Sequence, residues 1–97
     1  MQLVVKLRDG FRNDAVSIRV GGAEVYRKSA VSTDLTISFA DRIEVPVREP
    51  RVSVEVSVAG GPAGSVEVAP AETPFVDVVV VDGAMSFRTS KAEMPML

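Results

Sequence analysis

Val52-Ser53-Val54-Glu55-Val56-Ser57-Val58 puts valine at every second position and a polar residue at each position between. In extended chain, successive side chains leave opposite faces, so this pattern builds one apolar face and one wet face. A helix would scatter the same valines around its circumference. Valine's branched Cβ also restricts χ1 and suits a pleated surface better than a helical one. The segment reads as a half-buried β-strand, ended by Gly60-Gly61-Pro62.

The same period of two recurs on both sides of it. Leu3, Val5 and Leu7 alternate with Gln2, Lys6 and Arg8, up to the turn signal Asp9-Gly10. Val16, Ile18 and Val20 alternate with Ser17 and Arg19, up to Gly21-Gly22. Glu24 to Lys28 reads as a short strand or edge, with Val25 or Tyr26 turned inward. Leu35, Ile37 and Phe39 against Thr36 and Ser38 predict a further strand, followed by a turn at Ala40-Asp41-Arg42. Ile43, Val45 and Val47 continue the pattern, but Pro46 lacks an amide donor, so that segment is confined to a sheet edge or is only partly paired.

Beyond the valine strand, Val66 and Val68 alternate with Ser65 and Glu67, and Pro70 closes the run. Phe75-Val76-Asp77-Val78-Val79-Val80-Val81 is apolar on nearly every position, which predicts a central strand covered on both faces. Asp82-Gly83 is a tight-hairpin signal leading to Met85 and Phe87, with Ser86 and Arg88 outward. No segment carries a sustained helical stripe.

Short strands separated by turn signals at this spacing predict an all-β chain: a small single-domain β-sandwich of about seven to nine strands. The arrangement expected is immunoglobulin-like or transthyretin-like, with a small β-barrel as the alternative. The cysteine pair and buried tryptophan of immunoglobulin domains are missing. Residues 1–89 are expected to form the sandwich, and 90–97 a C-terminal tail packing on its own or a neighbouring chain.

The chain has 97 residues, 46% of them hydrophobic and 5% aromatic, enough apolar side chain for one core. With 11 basic and 13 acidic residues it has a net charge of −2, interspersed along the sequence, so no basic stripe invites nucleic acid. It contains neither histidine nor cysteine, which removes the commonest general base, thiol nucleophile and zinc ligands. The expectation is a non-enzyme without cofactor or metal. The absence of cysteine leans towards a reducing compartment. No apolar run reaches the roughly 20 residues that span a bilayer. A cytoplasmic protein is expected, or an exported one if a leader once preceded Met1.

Four stretches invite a functional reading. Asp9-Gly10-Phe11-Arg12-Asn13-Asp14 offers oxygens suited to calcium, but its spacing misses the calcium-loop pattern, and a turn capped by Asn13 or Asp14 is the simpler account. Tyr26, Arg27 and Lys28 form an amphipathic basic spot that could grip an anion or partner; the simpler account is a solvated edge whose Lys and Arg block strand pairing. Gly60 to Gly64 is glycine-rich, but strand and not helix follows, so it is a hairpin loop. The tail ends Met94-Pro95-Met96-Leu97, an apolar finish rare in solvated tails, making Met94, Met96 and Leu97 candidate contact residues.

The function expected is a protein–protein interaction module acting through an edge strand, around Ile43 to Val47 or the first strand, or through the C-terminal tail. A carbohydrate- or small-ligand-binding module and a structural homo-oligomer subunit are the alternatives. Sugar binding needs exposed aromatic platforms, and only Phe11, Tyr26, Phe39, Phe75 and Phe87 are present. Neither nucleic acid nor membrane is expected as partner.

Overall fold

The computed structural model describes residues 1–93. Eight strands follow one another: β1 (Gln2–Leu7), β2 (Asp14–Val20), β3 (Ala23–Val31), β4 (Asp41–Pro46), β5 (Val52–Val58), β6 (Ala63–Val68), β7 (Phe75–Val81) and β8 (Ala84–Ser90). They form two four-stranded sheets, one in the order β4-β1-β7-β8 and the other β3-β2-β5-β6. The protein is a β-sandwich. It is not a closed barrel, because neither β3 with β4 nor β6 with β8 exchanges ladder hydrogen bonds.

The alternating valines meet between the layers. Leu3, Val5 and Leu7 of β1 and Val76 and Val78 of β7 face Val16 and Ile18 of β2 and Val54 and Val56 of β5, all almost wholly buried. Phe11, 1% exposed, plugs one end of this core from the β1–β2 loop. Its amide donates to Thr33 Oγ1 at 3.1 Å, and its carbonyl accepts from the Thr33 amide at 2.8 Å. The chain can drop between the sheets here because Gly10 adopts φ +95, and any Cβ at that position would stand 1.9 Å from the Val80 carbonyl oxygen.

β1 lies inside its sheet, antiparallel to β4 on one side and parallel to β7 on the other. That removes the first strand as a docking edge. β7 is interior too, as its apolar run implies, between β1 and β8.

The expected strand through Leu35, Ile37 and Phe39 does not form. The Asp34 carboxylate accepts from the Thr36 amide at 3.0 Å and the Thr36 hydroxyl at 2.6 Å. Asp34 and Phe39 then pair with each other, with Ser38 at φ +52, so the segment curls into a loop. A short polar side chain has competed with the ladder and won. Leu35 is left 85% exposed, and only Phe39 is half-buried.

Each open side of the sandwich is closed by side chains. On the β3–β4 side, the Tyr26 hydroxyl reaches across to Asp41. On the β6–β8 side, the ring of Phe87 settles over Gly64.

Candidate functional site

Two regions of the surface depart from what a solvated sandwich would show: the outer face of one sheet, and one side's pair of edges.

The outer face of the β4-β1-β7-β8 sheet is built by the residues that alternate with the core. Register places Arg42, Lys6, Asp77 and Arg88 side by side in one row across the four strands, with Glu44, Val4, Phe75 and Ser90 in the next. Such a row is ordinarily wet. Here Val4 is 5%, Lys6 2% and Asp77 5% exposed. A buried charge must be paired, and both of these are. Asp77 Oδ2 lies 3.2 Å from Arg8 Nη1, and Arg8 Nε donates to the Ser38 carbonyl at 3.3 Å. Lys6 Nζ lies 3.1 Å from Glu93 Oε2.

Glu93 belongs to the segment that leaves β8 and turns back over this face. Its carboxylate also takes a two-pronged contact from Arg42, Nε to Oε2 at 2.7 Å and Nη2 to Oε1 at 3.2 Å. Arg42 is steadied in turn by Glu44 at 3.1 Å. The hydrogen bonds from Arg42 and then Lys6 hold the Glu93 carboxyl down to about 2. The same contacts, Glu93 before Glu44, raise the Arg42 guanidinium further above its ordinary value. The arrangement is a carboxylate cradle of one forked guanidinium and one ammonium.

The basic spot read from the sequence is divided by the pleat. Tyr26 and Lys28 turn to one side and converge on Asp41 Oδ2, at 2.7 and 3.5 Å. Arg27 turns to the other, 77% exposed, and pairs with Glu24 at 3.0 Å. Burial first, then donation to Asp41, raises the Tyr26 hydroxyl above its usual range. At Asp41, burial pulls the carboxyl upward, but hydrogen bonds from Tyr26, the Arg42 amide and Lys28 together bring it below the usual value. Arg27 and Lys28 also border an open hollow of about 670 Å³, with Ser17, Ser29 and Ser57 on its walls. Met94, Met96 and Leu97 lie outside the described residues.

In the Asp9–Asp14 loop, Asp14 accepts from the Arg12 amide at 2.9 Å and the Asn13 amide donates to Ser32 Oγ at 2.8 Å, so these oxygens serve the turn. Among the described residues, no three of histidine, cysteine, aspartate and glutamate converge closely enough to hold a metal ion. At Gly60–Gly64, the Val58 amide donates to the Pro62 carbonyl at 3.0 Å and closes a hairpin.

The four edge strands differ in how they meet solvent. β3 carries two register shifts against β2, and Ala30 at φ +60 lies near one of them. β4 ends on Pro46. β6 contains Gly64 and sits between Pro62 and Pro70. β8 pairs with β7 over seven consecutive positions without a shift, and Arg88 is its only charged residue. Asp82 and Gly83 take φ +51 and +75, the left-handed pair that a type I′ turn requires. Residues flanking such a turn exchange both backbone bonds and the pattern alternates onward. The amides and carbonyls of Met85, Phe87 and Thr89 therefore point away from β7.

Glu93, Lys6 and Arg42 escaped the sequence reading because alternation alone cannot tell a covered lysine from a solvated one. Asp77 did give a signal: one carboxylate inside an otherwise apolar run calls for a partner. No family model, curated protein or solved structure matches this chain.

Proposed function

We propose that the protein is a non-enzymatic interaction module that accepts an extended segment of a protein partner as an added strand along β8. The reading rests on one observation: β8 is a seven-residue edge with an unbroken register and a single charge. Soluble sheets normally guard such edges with proline, bulges or lysine. The other three edges of this sandwich carry proline, glycine or bulges, and this one does not. Strand addition would use the backbone groups of Met85, Phe87 and Thr89, with side-chain pockets adding specificity.

The finer fold reading supported here is the transthyretin-like one. The immunoglobulin arrangement puts its first, second, fourth and fifth strands in one sheet. Here the first pairs with the fourth and seventh, while the second and fifth lie opposite. The carbohydrate reading is weaker, because Phe11 is buried and Tyr26 spends its hydroxyl on Asp41.

Thr89→Pro tests the proposal, since its amide faces away from β7 and proline is tolerated at such a position. Wild-type protein used as bait in its own cell extract should retain a partner that Thr89→Pro releases, with both proteins giving the same strand-type circular dichroism. Equal retention by the two proteins, or a wild-type monomer that retains nothing, would overturn it.

A further inference from the structure

We infer that the Lys6–Arg42 cradle is a receptor for the C-terminal segment, filled within one molecule by Glu93 and open to the same segment of a second copy. The cradle stands on fixed backbone. Lys6 is on a strand paired on both sides, and the Arg42 guanidinium has a second carboxylate partner in Glu44. The forked contact from Arg42 fixes the plane of the carboxylate, and the ammonium of Lys6 marks one oxygen. That is the geometry of selective carboxylate recognition, more than a diffuse positive surface would provide.

The occupant is fastened lightly along its backbone. Among the described residues, no backbone hydrogen bond ties 91–93 to the sheet, and Lys91, Ala92 and Glu93 are exposed overall. The turn is held by its own Ser90 hydroxyl donating to the Ala92 carbonyl at 2.8 Å. The segment also springs from β8, at the rim of the sheet, where a neighbouring molecule can be reached. A second copy offers the same glutamate in the same local sequence, so its charge and shape match the cradle by construction. Within one molecule the short tether gives Glu93 a high effective concentration, which masks the site from competitors.

The test uses the full-length chain and a fluorescent peptide copying residues 89–97. Wild-type protein should bind the peptide weakly, because its own Glu93 competes. Glu93→Gln removes the carboxylate that Arg42 and Lys6 share and should tighten peptide binding by about tenfold or more, the range set by losing an intramolecular competitor. Adding Arg42→Ala, or separately Lys6→Met, to Glu93→Gln should abolish the gain. Circular dichroism and thermal melting identify any variant that has lost its fold, and either cation variant suffices alone. The inference fails if Glu93→Gln binds no tighter than wild type. It also fails if a peptide with glutamine in place of its glutamate, or one of scrambled order, binds the opened protein equally well.

Discussion

Phe87 occupies the space that a side chain on Gly64 would need: a Cβ there would fall 2.9 Å from ring carbon Cε2 and 3.4 Å from Cζ. The two residues belong to different sheets, and their fit seals the β6–β8 side of the core. Gly64→Val should therefore force the ring off its seat at a cost of roughly 1–3 kcal/mol, the usual range for overpacking. Urea denaturation checks this, and a midpoint unchanged from wild type would refute the fit.

Gly10 and Gly60 separate two reasons for glycine. Both have positive φ, +95 and +71, but only Gly10 has backbone in the way. Gly60→Ala should cost about 1 kcal/mol, from conformation alone. Gly10→Ala adds a collision with the Val80 carbonyl, which itself belongs to the β1–β7 junction, and should be the far more damaging change. Thermal melting of the pair decides it; equal losses would show that the loop simply moves aside.

Val56 and Ser57 test the period of two directly. Val56 is 1% exposed, and its neighbour Ser57 faces solvent. An aspartate at Val56 would be an unpaired charge in the core, a loss on the order of 4 kcal/mol or more. Ser57→Asp should stay within about 0.5 kcal/mol. Folding of Val56→Asp at wild-type stability would contradict the layered core.

That period carried most of the fold in plain view. Strand β5 follows from its sequence almost residue by residue, as do the edge position of β4 from Pro46 and the hairpin from Asp82-Gly83. What stayed hidden depended on contacts between distant segments. Leu35 to Phe39 alternates as well as any strand, yet the Asp34 carboxylate captures the Thr36 amide locally and no strand forms. The candidate site was darker still. Lys6 meets Glu93 across 87 positions of chain, and Arg42 meets it across 51; nothing in the local pattern of any of the three announces the others. Tyr26, Arg27 and Lys28 were visible as a group, but the pleat sends them to different faces.

Acid should loosen the strap over the outer face. Glu93 titrates near 4.5 when unfolded and about 2 when folded. Because the folded value is the lower, the contribution of its ion pairs is complete above about pH 4.5 and fades as pH falls towards 2. The stability difference between wild type and Glu93→Gln should be constant at neutral pH and shrink through that window. Denaturant titrations at several pH values measure it. A difference that does not vary with pH would mean the carboxylate is not paired in solution.

The parallel pairing of β1 with β7 sets a timetable for assembly. The strands that must meet are residues 2–7 and 75–81, so closing this sheet joins nearly the two ends of the sequence. The other sheet needs nothing beyond Val68. During synthesis, β2, β3, β5 and β6 can associate while the rest of the chain is still being made, whereas β1 can pair with β4 early but completes its second ladder only after β7 has been made. Folding is therefore expected to slow at the β1–β7 pairing, the ladder of greatest sequence separation.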